Sequence, residues 1–170
     1  MSMEIIELES DKQIDEIILL QKRVYSNLPK SEWLEPVDKD FLLKCIKEDA
    51  YIFGLMIENR LVGVFILYSP KNFLEHLANE LNIKQDRFFQ YVHLELYMLD
   101  PKYQGKGLGS FLINKCIELA LEKRWKYLVC TVHPNNKASL ESLRKSGFEL
   151  RKTKTMYGDK LRHIMSKELS

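Results

Sequence analysis

Cysteine is scarce: the 170 residues hold only Cys45, Cys116 and Cys130, widely spaced and set in apolar stretches. An odd, scattered set of this kind excludes a disulfide framework and a C-x-x-C metal site, and a reducing, cytoplasmic setting is expected. His76, His93, His133 and His163 contain no ligand-spaced pair, so no metal is expected either. No apolar run approaches the about 20 residues that span a bilayer, and the N-terminus is mixed acidic and apolar, so neither a membrane anchor nor an export signal is expected. Excess charge is lacking too. Lys plus Arg number 26 against 24 Asp plus Glu, a formal charge of +2 with no long basic run, which speaks against a nucleic-acid partner.

What is present is ordinary globular composition, 45% apolar and 29% charged, with no repeat or compositional break. A single domain over residues 1–170 is therefore expected, large enough to build a real core. Periodicity predicts a strand over Met3 to Leu8 and a helix over Lys12 to Tyr25. A Pro-broken loop around Trp33 then leads to a second helix capped by Asp38. Tyr51 to Ile57 and Leu61 to Tyr68 form a hairpin across Glu58-Asn59-Arg60, and a short helix is expected over Phe73 to Leu81. A strand from Phe89 to Leu99, a helix with a stripe through Leu108, Leu112, Cys116 and Ala120, and a strand from Tyr127 to Val132 make a crossover unit. The helix Asn136 to Lys145 and a final hairpin around Gly158-Asp159 complete the chain.

The segment Leu99-Asp100-Pro101-Lys102-Tyr103-Gln104-Gly105-Lys106-Gly107-Leu108-Gly109-Ser110 places three glycines at alternate positions between a strand and a helix. Glycine admits backbone conformations and close approaches that a side chain forbids. The helix that follows begins with unpaired amides and a dipole that favours negative charge. These are the ingredients of a pyrophosphate cradle. Other phosphate loops fail on spacing: Lys106 is followed by glycine rather than Ser or Thr, and G-x-G-x-G is not the dinucleotide pattern G-x-G-x-x-G.

The run Gln104-Gly105-Lys106-Gly107-Leu108-Gly109 resembles the Q/R-x-x-G-x-G/A signature of the GNAT superfamily of N-acetyltransferases. Leu99-x-Pro101-x-Tyr103 before it, and the Asn136-led helix closing in Gly147-Phe148, are similar to the same family. The resemblance implies an α/β fold: a mixed, twisted sheet of about seven strands, helices on both faces and a splayed parallel centre. It implies acetyl-coenzyme A as cosubstrate, with the backbone of Gln104, Gly105, Lys106, Gly107, Leu108, Gly109 and Ser110 at the pyrophosphate. Met98 and Leu99 would hold the pantetheine and acetyl carbonyl, Asn136 would contact the pantetheine arm, and Lys106 or Lys137 a coenzyme phosphate.

Acetyl transfer to an amine needs a base. On the strand before the glycines, His93, Glu95 and Tyr97 alternate with Leu94, Leu96 and Met98, which predicts that the three polar residues share one face. Glu95 is the first candidate base and His93 the second. The family's tyrosine acid would fall at Leu143, which leaves solvent, Tyr97 or Tyr157 to protonate the thiolate. It also keeps open a catalytically silent acyl-coenzyme A sensor. Trp33 and Glu35, with Tyr97, are expected to line the acceptor side, where acidic groups would attract a cationic amine. The primary amine, small molecule or polypeptide, is left open, as is a homodimer.

Overall fold

The computed structural model describes residues 2–48 and 50–170 and orders them as β1 (Met3–Glu7), α1 (Asp11–Ser26), α2 (Lys39–Lys47), β2 (Tyr51–Ile57), β3 (Arg60–Tyr68), α3 (Leu77–Glu80), β4 (Tyr91–Leu99), α4 (Leu108–Glu122), β5 (Tyr127–Val132), α5 (Lys137–Lys145), β6 (Glu149–Met156) and β7 (Lys160–Glu168). Local chemistry starts the first helices where expected. Ser10 and Gln13 form a reciprocal capping box on α1, and the Asp38 carboxylate accepts from the Phe41 amide at 2.8 Å on α2. The β2–β3 hairpin turns on two residues, Glu58 and Asn59, both at positive φ (50° and 63°). That turn matches the twist of the strands it joins, and Arg60 already pairs with Ile57.

The seven strands run in the order β1-β2-β3-β4-β5-β7-β6, and every neighbouring pair is antiparallel except β4–β5. Parallel neighbours need a crossover, which α4 supplies. Helices α1 and α2 bury Ile14, Ile17, Leu20 and Leu42 against Val64, Ile66, Leu96 and Met98 on one face. On the other, α4 and α5 bury Leu112, Ile113, Cys116, Leu140 and Leu143 against Phe65, Leu67, Leu94 and Leu128. The helices on both faces leave the sheet's two central strands as the place where ligand-sized space can open.

Two expectations are corrected. The helix expected over Phe73 to Leu81 is a 3-10 turn, Phe73–Glu75, followed by the one-turn α3, because His76 accepts from the Ala78 amide and starts a new helix there. Strand β4 begins at Tyr91 rather than Phe89, since Gln85–Gln90 coils as a 3-10 helix that leaves Phe89 exposed.

Candidate active site

Strands β4 and β5 pair only at Tyr91↔Tyr127, Val92↔Leu128 and His93↔Val129. Beyond His93 they separate, while β4 stays paired to β3 as far as Leu99. The β5-facing edge of residues 94–99 is thus left without a strand partner, and a cavity of about 720 Å³ occupies the gap.

A bulge shapes that edge. Leu67 pairs with Leu94 and Ile66 with Leu96, so Glu95 has no partner on β3. The extra residue reverses the alternation. His93 pairs with Tyr68 on the α1/α2 side, whereas Tyr97 pairs with Phe65 on the α4/α5 side. The expected single face carrying His93, Glu95 and Tyr97 is therefore wrong: the bulge sends Tyr97 to the opposite face and aims Glu95 into the cavity wall.

Behind Glu95 stands a fixed histidine. The Leu77 amide donates to Nε2 of His93 at 2.9 Å, which makes that nitrogen the acceptor and leaves the proton on Nδ1. Nδ1 lies 2.9 Å from Oε2 of Glu95 and donates to it. His93 is 2% exposed and does not reach the cavity. Its one lone pair is committed to a backbone amide, so it orients the carboxylate rather than taking a proton from a ligand.

At the C-terminal end of β4, buried Asp100 receives Nε of Arg23 from α1 at 3.1 Å and caps the turn Pro101–Tyr103. The loop that follows holds Gly105 and Gly107 at φ +75° and +80°, and a Cβ at either position would meet nothing within 4 Å. Backbone conformation, not crowding, demands glycine there. Gly107 is the N-cap of α4 and offers no side-chain cap, unlike Ser10, Asp38 and Asn136 on the other long helices. The first amides of α4 consequently lack an internal acceptor, and Gly107, Gly109 and Ser110 at that end line the cavity, a setting that favours an anion. Gly109 differs: a Cβ there would stand 2.7 Å from the Tyr97 hydroxyl.

The other end of the cavity is built by the loop around Trp33 and by β5, β7 and the β6–β7 turn. Tyr157 sits in that turn at φ 52°, a conformation uncommon for a bulky side chain. Its hydroxyl lies 3.3 Å from Thr131 Oγ1, and its ring packs on the Arg162 guanidinium at 5.6 Å. Trp33 stacks on His133, and Glu35 closes on Lys160 at 2.6 Å. Cys130 also lines the cavity, but burial pushes its thiol up to about 12, so it is no thiolate nucleophile near neutrality.

Residues 14–148 match the model of the acetyltransferase (GNAT) family. The chain belongs to the GNAT family. An uncharacterized N-acetyltransferase of Methanocaldococcus jannaschii is 31% identical over 80 residues, 47% of this chain and 34% of that protein, so the match spans about a third of its relative. The ribosomal-protein-S18-alanine N-acetyltransferase of Escherichia coli superposes with a TM-score of 0.75 at 17% identity, covering 99% of this chain and 95% of the other. A Salmonella typhimurium protein solved with its cofactor acetyl-CoA gives 0.75 at 19% identity over 100% and 95%.

Within this GNAT fold the cavity gathers Glu95, Tyr97, Met98, Leu99, Gln104, Gly105, Gly107, Gly109, Ser110, Asn136, Trp33 and Glu35 from the residues singled out in the sequence. Lys106, Leu108 and Lys137 are not on its wall. Lys106 and Lys137 are exposed, and Leu108 packs against the core. Asn136 Oδ1 accepts from the Ser139 amide at 3.4 Å as the α5 cap, and Gln104 Nε2 donates to the Leu99 carbonyl at 3.3 Å. Sequence reasoning missed Arg162. Its one sequence signal is the β7 alternation, in which Arg162 falls in phase with buried Ile164 and Ser166 while Leu161 points out.

Proposed function

We propose that the protein is an acetyl-coenzyme A-dependent N-acetyltransferase acting directly on a primary amine. The observation that carries this reading is the meeting of two features in one cavity: the uncapped α4 N-terminus behind Gly105 and Gly107, and the carboxylate of Glu95 held by His93. The first amides of α4 would hold the pyrophosphate, and the unpaired edge of β4 through Met98 and Leu99 would bind the pantetheine as an added strand.

The bound thioester supplies an activated acetyl group. The amine nitrogen bonds to the acetyl carbon, the carbon–sulfur bond breaks, and coenzyme thiolate leaves with the electron pair. Glu95 takes the amine proton, directly or through a water, and His93 keeps its carboxylate aimed. Leu143, buried where the family resemblance expects a tyrosine, cannot donate a proton. Solvent, Tyr97 or Tyr157 takes that part; both tyrosines line the cavity.

The test is thiol release from acetyl-coenzyme A with a mass gain on an amine. Glu95→Gln should lower kcat by about 10²–10⁴ while coenzyme affinity stays unchanged. His93→Ala should lower kcat less, and His93→Asn, which keeps a donor near the Nδ1 position, should recover part of the loss. Full activity in Glu95→Gln would end the base assignment. Leu143 favours a second reading, a silent acyl-coenzyme A sensor, which binding without transfer to any amine would support.

A further inference from the structure

Arg162 is 2% exposed, yet no carboxylate among the described residues pairs with it. Its Nη1 donates to the Leu161 carbonyl at 2.9 Å and its Nη2 to the Glu32 carbonyl at 2.6 Å, which leaves guanidinium donors to spare. A buried cation that meets two carbonyls and the face of the Tyr157 ring, with no carboxylate in contact, is costly unless an anion completes it. Glu35 and Glu32 favour its charge only from a distance and have partners of their own, Lys160 at 2.6 Å and His133 at 3.5 Å, while Glu95 on the same cavity is held by His93 at 2.9 Å. On the same cavity wall, the indole N–H of Trp33 is buried with no hydrogen-bond partner among the described residues. An unpaired donor and an unneutralised cation at one end of one cavity call for the same kind of group.

We infer that the acceptor is an amine that also carries a carboxylate, with Arg162 receiving the carboxylate in its planar fork and Glu95 facing the amine. The proposal rests on the transferase reading for which end of the cavity takes the amine. It narrows the expectation of acidic groups that attract a cationic amine. Glu35 is spent on Lys160, and a second ammonium would meet Arg162. A zwitterion satisfies both ends, because its ammonium approaches Glu95 while its carboxylate gains charge-assisted bonds that a neutral carboxamide cannot match.

The test is direct binding to the coenzyme A-loaded protein, followed by tryptophan fluorescence or calorimetry. The probes are matched N-acetyl amino acids and N-acetyl amino-acid carboxamides of glycine, alanine, leucine, phenylalanine and glutamate. The carboxylate form should bind about ten-fold or more tightly for at least one side chain. Arg162→Gln should erase that preference without changing coenzyme A affinity, and Arg162→Lys should keep part of it. Equal binding of acids and carboxamides by the unaltered protein overturns the proposal, however the variants fold. Acetyl mass gain on the free amines is scored separately. Carboxylate preference without any transfer leaves the anion site standing and removes the transferase reading; transfer to diamines or carboxamides at least as fast as to amino acids does the reverse.

Discussion

Gly109 and Tyr97 compete for one volume. A methyl group at Gly109 would stand 2.7 Å from the Tyr97 hydroxyl, and that ring is packed between strand and helix rather than free to swing aside. Gly109→Ala should therefore cost about 1–3 kcal/mol in a urea titration, as overpacking does. In a Tyr97→Phe background the same change should cost less than half as much; an equal cost in both backgrounds would show that the contact is not the cause. Tyr97→Phe alone also tests Tyr97 as the proton donor: a lower kcat with KM little changed would support it, and an unchanged kcat would leave solvent or Tyr157. The three glycines were legible as a motif, but their reasons were not. Gly105 and Gly107 answer to backbone φ, Gly109 to a side chain twelve positions earlier, and spacing alone cannot separate these cases.

At the scale of elements, the one-turn α3 is anchored by a histidine pair. Its Leu77 amide donates to His93 and its Ala78 amide to Nδ1 of His76 at 3.1 Å. Burial, and then the neighbouring His93 ring, lower the His76 pKa from 6.5 to about 4. The unfolded chain therefore binds a proton near pH 6.5 that the folded chain refuses until about pH 4. Its stabilising contribution is complete above pH 6.5 and is lost as the pH falls through 4, a change on the order of 3 kcal/mol. His76→Asn keeps a cap acceptor but does not titrate. Its urea midpoint should fall less than that of the unaltered protein between pH 7 and pH 4.5, and parallel curves would sink the assignment. This network was invisible in the sequence, where Phe73 to Leu81 has unbroken helical spacing. The β4 bulge was hidden likewise. Period-two alternation through His93, Glu95 and Tyr97 is what an unbroken strand would show, and only pairing with β3 reveals the extra residue.

For the whole molecule, β1–β4 and β5–β7 are two parts of one sheet joined by three residue pairs, with the cavity widening beyond them. The order of elements was legible because each carries its own periodicity and its own stop signals, and the glycine loop because it is contiguous. The end of the cavity at Trp33 was legible only in part, through Trp33 and Glu35. It assembles Trp33, Thr131 and the Tyr157–Arg162 hairpin from three distant stretches, and Arg162 is inward only by virtue of the β7 register. A ligand spanning the gap binds only the folded sheet, so its binding energy adds to stability. Coenzyme A at about 100 times its Kd should contribute about 2.7 kcal/mol, a rise of about 5–10 °C in Tm for a chain of this size. ADP, which has a pyrophosphate but no pantetheine to lie along residues 94–99, should raise Tm much less. Gly107→Glu places a carboxylate at the uncapped α4 N-terminus and should abolish the coenzyme shift; its own Tm without ligand separates lost binding from lost folding. An ADP shift equal to that of coenzyme A would make the site a nucleotide pocket, because the unpaired edge of β4 would then contribute nothing to recognition.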